Sequence, residues 1–338
     1  MDQFVVAVEI LRHPELRGLP VVVGTVGDPG RRGVVSGCSY EARAFGVRSG
    51  MALRQARRRC PGAVFLASDP EAYRRASHQV MATLVGFPAA VEAAGWDEAF
   101  LGATTDDPER LARDVQAAVR ARAGLACSVG IGDTRERAKV ASALAKPGGV
   151  LRLTAANWLA VVGPEPPRRL WGVGPRTQAR LATLGIRTVA ALARADPDAM
   201  AAAFGAHAGP HLVALARGEG PAAVSPRRPP PRSHGHQQTF ASDLGDPALV
   251  RSAVAGAADE VAADLRRSGA KARRVAVTVR FAPFDTHTRS APVGAHSGGP
   301  DGVRPAALAA LGRFRLDRPV RMVAVRADLA APATAPSS

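Results

Sequence analysis

With 338 residues the chain is too long for one hydrophobic core and fits two to four compact domains. Its 45 Lys and Arg against 29 Asp and Glu give a net charge of +16, which favours a polyanionic partner through counterion release. No run of ~18 apolar residues, signal peptide or basic amphipathic anchor accompanies that charge, so the sequence reads as a soluble intracellular protein without a membrane partner. Part of the charge is codon bias: the only lysines are Lys139, Lys146 and Lys271, and Ala and Gly are abundant, as a GC-rich genome would give.

Phe4 to Ile10 is apolar and helix-compatible, Pro20 to Gly24 reads as a buried strand, and Gly24 to Gly33 as a Gly/Arg loop. Val34-Val35 opens a short strand leading into Ser39 to Arg43, where helical propensity takes over, and Gly50 to Arg59 is an Arg-rich helix. After a strand at Val64 to Leu66, Asp69 caps a long helix to about Val85, with Pro70 at its first position. Strands are expected near Val91 and Phe100, an amphipathic helix from Pro108 to Arg122, a strand from Ala126 to Ile131 and a helix from Arg135 to Ala145. This alternation makes an α/β or α+β platform. From Pro164 to Gly218 the chain is short helices joined by Gly turns, and Glu219 to Arg232 is a Pro/Arg linker too stiff and polar to pack into a core. Strands at Gln237 to Phe240, Val275 to Phe281 and Met322 to Ala327, with helices at Pro247 to Arg267 and Val303 to Phe314, predict a second small α+β domain of β-α-β-β-α-β type. Its remaining strand, near Thr286 to Ser290, is weakly signalled, and Ala330 to Ser338 reads as a disordered tail.

Cys38, Cys60 and Cys127 form no C-x-x-C pair and read as buried small hydrophobes, and His207/His211, at i,i+4 spacing without an acidic third ligand, as a surface pair. Asp97-Glu98 sits between apolar segments, where a divalent metal serving phosphate chemistry would neutralise it; a solvated turn is the competing reading. Leu170 to Arg176 places a Gly-x-Gly turn, Gly172-Val173-Gly174, directly before a helix with Pro at its first position. Such a turn presents backbone N–H groups to phosphate, in the manner of a helix-hairpin-helix motif, or else simply joins two helices. Lys139 and Lys146, seven apart, would share a face on a continuous helix, and Tyr40 and Arg43, three apart, could grip a triphosphate; ordinary helix surface competes in both cases.

Taken together, these segments resemble the Y-family DNA polymerases, the lesion-bypass enzymes, and within them the DNA polymerase IV branch. The resemblance runs collinearly from Met1 to about Leu329, through Phe4 to Glu9, Ser39 to Arg43, Phe45 to Met51, Trp96 to Ala99, Ser128 to Ile131, Leu144 to Gly149 and Leu170 to Pro175. It implies an α+β right hand: palm (1–10 and 70–158), small fingers (11–69), helical thumb (159–218), linker (219–232) and little finger (233–329). It further implies Asp97 and Glu98 as Mg²⁺ ligands, Tyr40, Arg43 and Lys146 as triphosphate contacts, and Gly172 to Gly174 as a grip on the primer–template DNA backbone. A cytoplasmic, nucleoid-associated bacterial monomer is expected. The tail shows no Gln-and-aromatic clamp-binding string, so a sliding clamp is a partner unsupported at that end.

Family members begin with a strand ending in Asp-x-Asp, whose first Asp is a further metal ligand; Met1-Asp2 matches the last two residues of that unit, and the first ligand with its strand is expected upstream. Where the family sets a bulky aromatic beneath the sugar this chain has Val5, with Phe4 before it, so weak discrimination against ribonucleotides is expected. Gly37 replaces a Thr often found near the triphosphate, and Trp96 is expected to pack in the palm. Two rival functions are a non-catalytic DNA-binding scaffold of the same fold and a glycosylase built on the hairpin segment with an acid such as Asp196.

Overall fold

A computed structural model describes residues 1–227, 230–293 and 299–330. The chain forms two compact units, Met1–Arg228 and Pro229–Ser338. The first begins with α1 (Phe4–Arg12), β1 (Val21–Gly24), β2 (Val35–Cys38), α2 (Tyr40–Ala44), α3 (Leu53–Arg59) and β3 (Val64–Ala67). Strand β1 is central, antiparallel to β2 and parallel to β3, and is buried on both faces, as its unbroken Val21-Val22-Val23 run requires. Val22, Val35, Ala42, Val47, Leu53 and Ala56 close a small core around it.

The chain continues through α4 (Pro70–Val85), β4 (Ala90–Ala93), β5 (Ala99–Gly102), α5 (Pro108–Ala123), β6 (Val129–Gly132), α6 (Arg135–Leu144) and β7 (Val150–Leu153). Asp69 caps α4 as expected, its carboxylate accepting from the Ala72 N–H at 3.0 Å. Strands β4 and β5 form an antiparallel pair and β6 and β7 a parallel one. Strand β7 was not expected: four residues give too little alternation to signal it, and it exists through its pairing with β6. The predicted strand at Ala126 begins only at Val129, and the helix at Gly50 only at Leu53.

Helix α6 lies so close to β6 that a Cβ on Gly130 would overlap the Ala138 carbonyl and the Ser142 N–H. Gly130→Ala is therefore expected to cost about 1–3 kcal/mol through overpacking. A urea melt checks this, and an unchanged midpoint would contradict it.

Five helices follow: α7 (Trp158–Val162), α8 (Pro175–Thr183), α9 (Val189–Ala193), α10 (Pro197–Phe204) and α11 (Ala208–Ala216). Their core includes Trp158, Leu170, Leu181, Leu192 and Val213, and the Trp158 indole donates to the Ala216 carbonyl at 2.7 Å. The predicted linker is partly tied down. Ser225 N–H donates to Glu92 at 3.0 Å, the Pro221 carbonyl accepts from the Arg135 N–H at 3.0 Å, and Val224 packs on Gly102.

The second unit runs β8 (Ser233–Leu244), α12 (Pro247–Ser268), β9 (Ala272–Phe281), β10 (Asp285–Pro292), α13 (Val303–Leu311) and β11 (Val320–Leu329). This is the β-α-β-β-α-β order expected, folded as an antiparallel sheet in the order β10-β9-β11-β8. Alternate residues Val275, Val277, Val279 and Phe281 of β9 face Val250, Val254, Val261 and Leu265 of α12 in one core. The predicted tail lies outside the described residues from 331 onward. The three cysteines are free and buried, as expected.

Candidate active site

Asp97 and Glu98 stand in the turn between β4 and β5, which is closed by Ala94 N–H donating to the Glu98 carbonyl at 2.9 Å. Because neither acid lies within a strand, the opposed directions of strand neighbours do not separate them. Both line a cavity of about 260 Å³, along with Met1, Lys139, Lys146 and Trp171. Its deeper wall is apolar, with Leu101 and Ile131 from β5 and β6 and Val115 from α5.

Lys139, on α6, pairs with the Glu98 carboxylate. Burial pushes the Glu98 carboxyl up, but the Lys139 hydrogen bond and charge, with Lys146 and the Met1 amine, outweigh it and hold it below the usual range. The Met1 amine donates to the Asp97 carbonyl at 2.6 Å and the Lys146 ammonium to the Met1 carbonyl at 3.1 Å. Lys146 lies past the end of α6, so the two lysines do not share a helix face; they meet because the chain turns back beyond Leu144 toward the same cavity.

Tyr40 and Arg43, on α2, lie outside the cavity lining. The Arg43 guanidinium sits 5.2 Å from the Tyr40 ring centroid, and the Tyr40 hydroxyl is buried with no hydrogen-bond partner among the described residues. Burial, then the nearby Asp2 charge, pushes the Tyr40 phenol up, with Arg43 opposing. Asp2 is itself buried, accepting from Ser128 Oγ at 2.9 Å and the Gly148 N–H at 2.7 Å, and so joins the Tyr40 side to the loop after Lys146. Asp2 and Lys139 were not assigned to the site from sequence. The match of Met1-Asp2 to an acidic unit and the rarity of lysine were the available signals.

Phe4 is a core residue, 6% exposed and packed with Val8 and Tyr73, and does not line the cavity; the first turn of α1 directs it inward. Val5 is half-buried against Gly37, where an added Cβ would overlap its Cγ2. Trp96, expected to pack, is instead 48% exposed, because it lies at the tip of the acidic turn. In the Gly-x-Gly turn Gly172 takes φ +88°, a conformation that favours glycine, and Gly174 precedes Pro175 at the start of α8. Val173 is buried, and its N–H donates to the Leu170 carbonyl at 3.2 Å.

Two carboxylates on one cavity suit Mg²⁺, which binds through one or two carboxylates plus substrate phosphates. Among the described residues no group of three or more His, Cys, Asp or Glu side chains could hold a metal ion. The Tyr40 hydroxyl is orphaned and the Lys146 residue is exposed. Also among the described residues, no helix is long and apolar enough to cross a membrane.

The sequence profile of the impB/mucB/samB family matches residues 1–143, and that of the family's C-terminal domain residues 231–336. DNA polymerase IV 2 of Mycobacterium tuberculosis is 48% identical over 336 residues, 98% of this chain and 96% of that protein. DNA polymerase IV of Methanoculleus marisnigri is 36% identical over 334 residues, 97% of this chain and 92% of that protein. Among solved structures, a Y-family DNA polymerase chimera of Dbh and Dpo4 superimposes with a TM-score of 0.83 at 22% identity, covering 97% of this chain and 96% of the chimera. That likeness carries the α+β polymerase fold.

Proposed function

Since this chain belongs to the impB/mucB/samB family, on the DNA polymerase IV branch of the Y-family DNA polymerases, it is a DNA-directed DNA polymerase of the lesion-bypass type, and we propose that Asp97 and Glu98 form its catalytic centre. The substrates are primer–template DNA and nucleoside triphosphates. The palm is assigned to 1–10 and 70–158, the fingers to 11–69, the thumb to 159–218, the linker to 219–232 and the little finger to 233–329. The observation that carries the proposal is the convergence of Asp97, Glu98 and Lys146 on one cavity.

In the proposed reaction the primer 3′-hydroxyl gives its proton to water while its oxygen bonds to the α-phosphorus of the incoming nucleotide, the bond from that phosphorus to the bridging oxygen breaks, and pyrophosphate leaves. Asp97 and Glu98 would hold Mg²⁺, whose chemistry is to neutralise charge on the attacking and leaving oxygens. Lys146 and Arg43 bind and orient the triphosphate through charge, and Tyr40 through its free hydroxyl. Lys139 holds the Glu98 carboxylate until the ligands arrive. In the Gly172-Val173-Gly174 turn the N–H groups of Gly172 and Gly174 grip the DNA backbone, positioning the primer end. The enzyme is proposed to act as a monomer in the bacterial cytoplasm, at the nucleoid.

Primer extension across a template abasic site tests the proposal. Mg²⁺-dependent addition of nucleotides is expected; base release without any nucleotide would instead revive a glycosylase. Lys146→Ala is expected to raise the KM for the incoming nucleotide roughly tenfold or more, the scale of one charge-assisted hydrogen bond, with kcat less affected. Steady-state kinetics checks this, and an unchanged KM would remove Lys146 from the triphosphate site.

A further inference from the structure

Glu136 is an acid for which the polymerase site has no use, buried at 3% exposure in the first turn of α6. Its carboxylate accepts the backbone N–H of Trp171 at 3.1 Å, at the residue that leads directly into the Gly-x-Gly turn. The segment beside it is fixed from the same helix start: the Thr134 hydroxyl donates to the Gly218 carbonyl at 2.9 Å and the Arg135 N–H to the Pro221 carbonyl at 3.0 Å. The Trp171 ring lies 5.8 Å from the Lys139 ammonium and 6.0 Å from the Phe100 ring, and Lys139 pairs with Glu98. Glu136 and Lys139, three apart, thus link the turn and the acidic pair through one helix face.

We propose that Glu136 is a positioning residue that docks the DNA-gripping turn onto α6, setting where the held DNA backbone stands relative to Asp97 and Glu98. This rests on the reading of the turn as a phosphate grip. Burial pushes the Glu136 carboxyl up to about 7, against the Trp171 N–H and the Lys139 charge, which pull it down. Lys139, from its own helix, is the charged group acting on it; the residue leading into the turn presents the Trp171 N–H, and the neighbouring segment presents Gly220, whose added Cβ would lie 3.8 Å from Glu136 Cβ. An undocked, hydrated Glu136 would ionise in the ordinary carboxylate range. Docking is therefore strongest below that range, weakens as pH rises to about 7, and is level above it.

Fluorescence anisotropy of labelled primer–template at pH 6 and pH 8 tests this with the wild type, Glu136→Gln, Glu136→Ala and Gly172→Val. From pH 6 to pH 8 the wild type should lose up to about tenfold in affinity relative to Glu136→Gln, which keeps an acceptor and cannot ionise. Glu136→Ala should bind about fivefold more weakly than Glu136→Gln at both pH values, the scale of one net hydrogen bond. Coincident pH profiles of wild type and Glu136→Gln would overturn the inference. If Gly172→Val binds weakly while those profiles coincide, only the docking role falls; if Gly172→Val also binds as wild type does, the grip reading falls too.

Discussion

Exchanging Glu98 for Gln or Asp97 for Asn is expected to lower the single-turnover rate of primer extension by about 10²- to 10³-fold, the scale of losing one preorganised electrostatic stabiliser. The amides keep the shape of the acids and remove the negative charge, so primer–template affinity should persist while the chemical step fails. Glu98 is held charged by Lys139, Lys146 and the Met1 amine, which outweigh its burial. Its pairing contributes stability above the ordinary carboxylate range and loses it as pH falls through the depressed value. Activity should thus persist to mildly acidic pH as far as Glu98 governs it. Rapid-quench kinetics on each variant checks the rate, and wild-type chemistry in either would remove that acid from the centre.

Val5→Phe is expected to raise the preference for deoxyribonucleotides over ribonucleotides by up to roughly 10²-fold in the ratio of kcat/KM values. A pocket with spare room rejects an added hydroxyl only weakly, and a steric wall rejects it strongly. Here Val5 rests directly on Gly37, whose missing side chain provides the room that Val5 Cγ2 occupies. If Val5 lies beneath the sugar, as the family resemblance implies, this small apolar pair leaves the 2′-hydroxyl without a steric wall. Competition between paired ribo- and deoxyribonucleoside triphosphates gives the ratio, and an unchanged ratio in Val5→Phe would show that another side chain forms the wall.

Much of the fold was legible because local chemistry agreed with tertiary demand. Asp69-Pro70 starts α4 by capping alone, and the valine alternation of β9 matches the one core face of its sheet. The weak β10 could be inferred only from its partners: it is an edge strand with mostly exposed side chains, so it carries little hydrophobic pattern. Strand β7 was lost for a similar reason, being four residues long and defined by a distant neighbour.

Within the site, Asp97-Glu98 could be singled out because two acids between apolar segments conflict with local burial. Glu136 could not, since an acid in the first turn of a helix is ordinary and gives no sign that Trp171 will cover it. Phe4 and Val5 differ by one position, and which of them turns inward depends on how α1 packs against Tyr73 of α4. Lys139 and Lys146 were paired from sequence on a continuous helix, but it is the chain reversal beyond Leu144 that brings them together.

The most direct measurement is nucleotide affinity of the enzyme–primer–template complex as a function of Mg²⁺, compared between wild type and the Asp97→Asn/Glu98→Gln double variant. Wild-type affinity should rise with Mg²⁺, and that metal dependence should disappear in the double variant while metal-independent binding through Tyr40, Arg43 and Lys146 persists. Unaltered Mg²⁺ dependence in the double variant would place the metal elsewhere and contradict the assignment of the site.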